Sequence, residues 1–216
     1  MDDGTLIPAH GGYRKLKSFQ VAQLVYDLTV RFCDRYIDRR SRTRDQMEQA
    51  ARSGVQNIAE GSQASGTSKK TELRLTNVAR ASLEELRLDY EDFLRHRGRS
   101  PWPADHPALR RFKATRCATL DDVRVWVEEE RHRQRTNTDE HRHPRTKSVT
   151  PTLSVPVRAR PCPSSAELVA NAALSLLNLC CHLLDRQLAA QAAAFENEGG
   201  FTERLYRVRI QTRSRP

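Results

Sequence analysis

Apolar residues recur every three or four positions along four long stretches of this sequence, which is the spacing that places them on one side of an α-helix. The first stretch covers about 15–39, the second about 43–61, and the third runs from the N-cap candidates Thr67 and Ser68 to Gly98. Small residues dominate the apolar side of the second stretch, so we expect that helix to pack closely between two neighbours. The pattern therefore predicts long helices rather than strands.

The fourth long stretch, residues 165–196, is almost wholly apolar. Its start has the capping-box spacing of Ser164 and Glu167, and two glycines follow its end. Its polar side chains step by three or four residues and form one narrow stripe: Glu167, Asn171, Ser175, Asn178, His182 and Asp185. A single membrane span would have no partner for such a stripe. We therefore expect this helix to pack against the bundle on one side and against another protomer on a second.

Between the third and fourth long helices the apolar pattern is weaker. It predicts a short helix near 105–115 and another that runs from a capping box of Thr119 and Asp122 to about 133. Residues 135–164 contain five prolines and almost no periodic apolar residues, which leaves too little apolar surface to offset the entropy of ordering. We predict a disordered basic insertion there.

These elements predict an all-α fold: an antiparallel up-down four-helix bundle with short peripheral helices, a disordered basic insertion and a basic C-terminal tail. Residues 13–98 would form the first three helices and residues 99–134 the peripheral helices. Residues 135–164 would be the linker, and 165–216 would supply the fourth long helix and the tail. A chain of 216 residues that is 38% hydrophobic can bury one medium-sized core.

The charge of the chain points to an anionic partner. There are 37 lysines and arginines against 27 aspartates and glutamates, which gives a formal net charge of +10. Nucleic acid is expected rather than a membrane, because no positively charged leader precedes an apolar segment at the N-terminus. The five cysteines form an odd set without C-x-x-C spacing, which indicates neither a disulfide framework nor a zinc ribbon. We expect a cytoplasmic protein.

The sequence shows no persuasive pattern for catalysis, a metal or a cofactor. Residues 61–68 resemble a phosphate-binding P-loop, but a threonine stands in the place of the lysine and the loop follows a helix rather than a strand. Adjacent cysteines on a helix point about 100° apart, so Cys180 and Cys181 are interpreted as core residues. The pair His141 and His143 lies in the predicted disordered insertion, where no obvious set of further ligands accompanies it. We expect no enzyme, no metal site and no cofactor.

Two groups of basic residues are candidates for contact with backbone phosphates. The first group is a cluster at the turn between the first and second helices: Arg39, Arg40, Arg42 and Arg44. The second is Lys69 with Lys70 at the start of the third helix, where free backbone amides also attract anions. Each group has a plainer interpretation, as a solvated turn and a solvated helix start. Aromatic residues are not interleaved with the arginines, so backbone contact without base recognition is favoured.

Three groups of residues, one in each of the first three predicted helices, carry a resemblance to a known family. They are Phe19, Ala22, Tyr26, Leu28 and Thr29; then Ser53 with Asn57, Ile58, Ala59, Glu60 and Gly61; then Ala79, Arg80, Ser82, Leu83, Glu85 and Leu86. Together they resemble a bacterial family of four-helix-bundle proteins, typified by the protein encoded in large-subunit ribosomal RNA intervening sequences. The accessory variability protein of diversity-generating retroelements is a relative. Residues 165–210 resemble the four-helix-bundle suffix domain found on a subset of the family.

The resemblance implies a left-handed up-down bundle that forms a homo-oligomer, in characterised relatives a homopentamer. One relative binds nucleic acid and a reverse transcriptase. We call the second and third of these groups the motif. Within it, Gly61 would end the second helix and fix the turn to the third, and Asn57 and Ser82 would be structural residues. Glu60 would pair with an arginine across the turn or on a neighbouring chain, with Arg80 or an arginine of the first helix as the expected partner, or else point into water.

The sequence therefore predicts a non-enzymatic, homo-oligomeric protein that binds nucleic acid through backbone phosphates, as an accessory or scaffold of a nucleoprotein assembly. A second hypothesis is a protein–protein interaction module whose positive charge meets an acidic protein partner without any nucleic acid. Salt-dependent binding to unrelated RNA and DNA sequences separates the two hypotheses.

Overall fold

A computed structural model describes residue 7, residues 10–140 and residues 163–213. The regular structure of these residues is helical, with a single 3₁₀ turn and seven α-helices. The turn is Tyr13–Lys15, and the helices are α1 (Lys17–Tyr36), α2 (Arg42–Ala64), α3 (Lys69–Arg95), α4 (Pro107–Thr115), α5 (Leu120–Glu140), α6 (Ser165–Glu198) and α7 (Phe201–Arg213). The prediction of an all-α fold is confirmed.

The four long helices α1, α2, α3 and α6 form the body of the protein. Helix α2 packs between α1 and α3, and α6 packs between α3 and α1 on the other side. Neighbouring helices run in opposite directions: along α3 and α6, Glu72 meets Gln191 and Arg80 meets Asp185. This arrangement agrees with the predicted up-down bundle, and it places the small residues of α2 between two neighbours, as expected.

Aromatic residues fill the core at the end of the bundle where α1 and α3 finish. The ring of Phe32 lies 4.9 Å from that of Tyr90 and 4.7 Å from that of Phe93, between centroids. The buried hydroxyl of Tyr90 donates a hydrogen bond of 3.1 Å to Thr29 Oγ1, and Thr29 in turn donates to the carbonyl of Val25 at 2.7 Å. The one polar group of the aromatic cluster is therefore hydrogen-bonded, as buried polar groups must be.

Gly61 does not end the second helix, which corrects the prediction. Helix α2 continues to Ala64, and Gly61 is buried inside it against α3. A Cβ atom at this position would lie 3.3 Å from both the carbonyl oxygen of Glu72 and Cβ of Leu75. The glycine therefore lets two helices approach closely, and its ability to adopt a left-handed conformation is not used.

The predicted helix caps are confirmed. Ser68 caps α3 and Ser164 caps α6, each by accepting a hydrogen bond from a backbone N–H of the first turn. Thr119 Oγ1 accepts from the backbone N–H of Asp122 at 3.2 Å, and the Asp122 carboxylate accepts from the N–H of Thr119 at 2.9 Å. Gly199, with φ of 74°, follows the end of α6.

The peripheral helices α4 and α5 pack near the start of α6. Helix α5 runs to Glu140 rather than to about 133, so residues 135–140 of the predicted linker are helical. These residues extend a helix that already exists, which costs less than starting a new one. The rest of the predicted insertion, 141–162, lies outside the described residues, as does the histidine pair within it.

The polar stripe of α6 is covered by protein in its first half. Glu167 and Asn171 are both buried. Arg99 places Nε 3.4 Å from Glu167 Oε2, and the backbone N–H of Trp102 donates to Asn171 Oδ1 at 2.8 Å. The stretch Ser165–Ile210 is the one candidate membrane span by length and composition in the described chain, but 67% of its apolar window is buried inside the bundle. The apolar composition of α6 is therefore explained by its position in the core of the bundle.

Candidate nucleic-acid interface

The turn between α1 and α2 presents exposed arginines. Ser41 caps α2 by accepting the N–H of Thr43, and Asp38 accepts the backbone N–H of Arg40 at 2.8 Å. These two short bonds fix the turn backbone. Arg39, Arg40 and Arg42 are all exposed, and within the described residues none of them has a carboxylate within 4 Å. Their charges are available to an anion from outside the chain.

Arg44 differs from the other arginines of the turn. Its guanidinium forms an ion pair with Asp34 at the end of α1 and a second one, of 3.0 Å, with Glu48 one turn later in α2. The side chain is only 19% exposed. Two carboxylates already balance its charge, so Arg44 holds α2 to α1 and offers less to a phosphate than its neighbours do.

Other helices bring further arginines to the same end of the bundle. The last two turns of α1 carry Arg31 and Arg35, and a cavity of about 680 Å³ between α1 and α5 is lined by both and by Arg131. Arg97, just after α3, lies over the ring of Phe93 at 3.6 Å. We call this surface the arginine end, and its members are Arg31, Arg35, Arg39, Arg40, Arg42, Arg97 and Arg131.

The sequence analysis missed four members of the arginine end. Arg31 and Arg35 are one helical turn apart and directly precede the predicted cluster, which is a signal that sequence inspection could have used. Arg97 and Arg131 belong to distant segments, so only the packing of α3 and α5 against α1 places them here. In the part of the chain that the structure describes, none of the seven forms an ion pair.

Lys69 and Lys70 lie at the opposite end of the bundle. Lys70 is exposed, and Lys69 places Nζ 3.5 Å from Glu72 Oε2. The start of α7 lies nearby, so that Lys69 and Arg204 line one small cavity between the α2–α3 and α6–α7 turns. Helix α2 has 23 residues, or roughly 35 Å at 1.5 Å per residue, and separates this pair from the arginine end. The two predicted groups therefore belong to two surfaces.

The motif residues of α2 and α3 join these helices. Ser53 and Ser82 share a hydrogen bond of 3.0 Å between their hydroxyl oxygens. Asn57 donates to the carbonyl of Ser53 at 2.8 Å and to its hydroxyl at 3.1 Å. These side chains form a polar contact between the two helices, which agrees with the structural role expected for Asn57 and Ser82.

Glu60 does not pair with Arg80, which corrects the first of the alternatives for its partner. Arg80 forms its ion pair with Asp185 of α6, because the side of α3 that carries Arg80 faces α6 and not α2. Glu60 is exposed, and no ion pair joins it to any arginine of the described residues. The remaining alternative, a carboxylate in water, describes Glu60 in the single chain.

The most strongly shifted titratable groups lie inside the helix packing. Burial raises the pKa of the Cys33 thiol to about 12, and burial also raises the pKa of the Tyr90 hydroxyl. A thiol that stays protonated at neutral pH is a poor nucleophile. In residues 10–140 and 163–213, no group of three or more histidine, cysteine, aspartate or glutamate side chains is placed to hold a metal ion.

These observations define an all-α bundle protein with one strongly cationic end. Residues 15–94, which cover α1, α2 and most of α3, match the family described as 23S rRNA-intervening sequence protein. Over this range the chain is similar to that family, which confirms the resemblance seen in the sequence for the first three helices. No curated protein and no solved structure matches the chain. The assignment of residues 165–210 to the suffix domain stays a prediction.

Proposed function

We propose that this protein is a non-enzymatic, homo-oligomeric accessory of a cytoplasmic nucleoprotein assembly, and that it binds nucleic acid through the arginine end. The observation that carries the proposal is that seven arginines from α1, α2, α5 and the turns beside them share one end of the bundle. None of them forms an ion pair among the described residues, although Asp34, Asp121 and Glu128 line the same cavity. Arginine is well suited to this role because its planar guanidinium can hold a phosphate with two hydrogen bonds.

The proposal is for binding with low sequence specificity. Backbone phosphates are the same in every sequence, and base recognition needs side chains that reach into a groove or stack on unpaired bases. Of the aromatic rings at this end, Phe32 and Phe93 are buried in the core, and Tyr36 is partly buried against Phe32. Affinity should therefore depend strongly on salt concentration and weakly on sequence.

The test is a salt titration with fluorescent RNA and DNA oligonucleotides of unrelated sequence. The triple variant Arg39→Ala, Arg40→Ala and Arg42→Ala should weaken binding and reduce the slope of log affinity against log salt by about two to three, at roughly 0.7–0.9 per lost phosphate contact. The matched control removes three exposed arginines elsewhere: Arg52→Ala, Arg74→Ala and Arg186→Ala.

Equal losses in the two triple variants would show that net charge alone attracts nucleic acid, and would refute the arginine end as the binding surface. No binding of the wild-type protein at 50 mM salt would refute nucleic-acid binding altogether. That second result would leave the acidic protein partner as the better hypothesis.

A further inference from the structure

The second half of the polar stripe on α6 lies in an open groove. Among the described residues, the loop before α4 reaches the stripe at Asn171, which accepts the backbone N–H of Trp102. Beyond that point Ser175, Asn178 and His182 line a groove of about 820 Å³ beside α4. The groove lies along the outer side of a core helix and is large enough to receive several side chains.

The groove combines an apolar floor with a cationic rim. Leu109 and Phe112 of α4 and Leu174 and Leu179 of α6 line it, and Leu179 remains 44% exposed. The rim carries Lys17, Lys113 and Arg116. The single acid of the lining is Glu91, which already lies 3.6 Å from the guanidinium of Arg87. A partner that fits this groove presents an apolar side chain between carboxylates.

The outer face of α3 presents that combination. Leu88 is 54% exposed, which is unusual for a leucine of a packed helix, and Glu85, Asp89 and Asp92 lie on either side of it. We call these four residues the acidic patch. Asp92 pairs with Arg95 at 2.7 Å, but Oδ2 of Asp89 is buried without a hydrogen-bond partner in the described residues.

The acidic patch is unfavourable for the isolated chain. Three carboxylates lie within two turns of each other, and one of them, Asp92, lies in the last turn of α3, where the helix dipole disfavours negative charge. An exposed leucine at their centre adds apolar surface to water. A cationic and apolar surface from outside the bundle would relieve both costs.

We propose that the groove of one copy of this protein receives the acidic patch of a second copy. Leu88 would lie over Leu179 and its apolar neighbours, and Lys113 and Arg116 would approach Glu85 and Asp92. Because the two surfaces lie on different sides of one chain, the contact is head-to-tail and generates a ring or a filament rather than a two-fold dimer. The inference rests on the homo-oligomeric part of the proposed function and names the surfaces that form the assembly.

A charge-swap experiment tests the contact. The groove variant carries Lys113→Glu and Arg116→Glu, and the patch variant carries Glu85→Lys and Asp92→Lys. Light scattering at micromolar concentration should give a multiple of 24.7 kDa for the wild type and a smaller mass for each variant alone. An equimolar mixture should regain mass, because each reversed surface then meets a complementary one.

Controls separate the contact from general effects of charge and folding. Arg52→Glu with Arg213→Glu makes the same charge change as the groove variant on exposed residues outside both surfaces, and should keep the wild-type mass. Circular dichroism checks that each variant is helical, and the milder pair Lys113→Gln and Arg116→Gln replaces the groove variant if charge reversal unfolds α4.

Each outcome has a distinct meaning. A wild-type oligomer whose mass neither variant changes would overturn the inference and leave homo-oligomerisation standing. Variants that dissociate and do not regain mass on mixing would also overturn it, and would favour an acidic protein as the occupant of the groove. A monomeric wild type would remove the homo-oligomeric part of the proposed function together with the inference.

Discussion

Gly54 of α2 lies directly against Leu83 of α3, so closely that a Cβ atom on Gly54 would come within 2.6 Å of Leu83 Cδ2. Leu83 is completely buried, so its side chain has little room to move away. Gly61 repeats the relationship seven residues later, where a Cβ atom would lie 3.3 Å from Leu75 Cβ. The two glycines bring α2 and α3 into close contact along one line, which places the serines and the asparagine of the motif within hydrogen-bonding distance.

Gly54→Ala should therefore destabilise the protein by up to about 2 kcal/mol. Alanine favours a helix over glycine by about 1 kcal/mol, but overfilling a packed core costs about 1–3 kcal/mol, and we expect the second effect to be larger. Urea unfolding monitored by circular dichroism measures the difference. Gly12→Ala, where a Cβ would meet no atom within 4 Å, should change stability little. A more stable Gly54→Ala variant would contradict the close contact.

Substituting the donor and substituting the acceptor of the hydrogen bond between Tyr90 and Thr29 should lower the free energy of unfolding by different amounts. Tyr90→Phe removes the donor and should cost about 1 kcal/mol, because Thr29 keeps its bond to the Val25 carbonyl. Thr29→Val leaves the buried tyrosine hydroxyl without an acceptor and should cost about 2 kcal/mol. In a double-mutant cycle the two losses should sum to more than the loss of the double variant. Simple additivity would argue against the bond.

Asp89 should make stability depend on pH. Burial, with a smaller contribution from the carboxylates of Glu85 and Asp92, raises its pKa from 3.8 to about 6. Between about pH 4 and 6 the folded protein then binds more protons than the unfolded chain, so this group lowers stability as the pH rises through that window. Asp89→Asn should therefore raise the melting temperature more at pH 7 than at pH 4.

The control for Asp89 is Asp105→Asn, which changes the same charge on an exposed loop. Its effect on the melting temperature should be small and similar at the two pH values. If Asp89→Asn also shifted the melting temperature equally at pH 4 and pH 7, the buried carboxylate would not be the source of the pH dependence.

The ion pair of Arg111 and Glu130 should stabilise the α4–α5 unit. Arg111 donates two hydrogen bonds, of 2.5 and 2.7 Å, to the carboxylate of Glu130, whose side chain is 2% exposed. Arg111→Met leaves a buried carboxylate unpaired and should cost about 3 kcal/mol. Adding Glu130→Gln should recover part of this loss. Hydrogen exchange should report the change in α4 and α5 first, and uniform loss of protection across all helices would contradict a local role.

Substitutions of Arg42 and Arg44, which are only two residues apart, should affect different properties: the first RNA binding and the second the stability of the fold. Arg42→Ala removes an exposed charge and should weaken RNA binding at 100 mM salt without changing the melting temperature. Arg44→Ala should lower the free energy of unfolding through the loss of its pairs with Asp34 and Glu48, and should weaken binding less. The reverse order of binding losses would contradict the assignment of Arg44 to the fold.

The predicted elements that the structure confirms depend on local chemistry. Ser68 and Ser164 can cap a helix wherever that helix packs, because the hydrogen bond is made within the same turn. The short helix after Thr119 was predicted from the same kind of signal. The end of α5 was placed too early, because the polar sequence at that end gives no apolar period to follow.

The partners of individual side chains depended on tertiary structure. Sequence placed Arg80 close to Glu60, across a turn, whereas the packing of α3 turns Arg80 towards Asp185, which lies 105 residues further along the chain. Gly61 was interpreted as a helix end because glycine is common there, and only the neighbouring helix shows that its lack of a side chain is what matters.

The sequence by itself determined that this protein is built from long helices, which side of each is buried and where most of them begin, because periodicity and capping act over a few residues. Tertiary structure decided which charges meet. It paired Arg44, left Arg42 exposed, and brought Arg97 and Arg131 to the end where α1 finishes. The physical reason is that ion pairs form at a few ångströms, and such distances between remote residues exist only after the helices have packed.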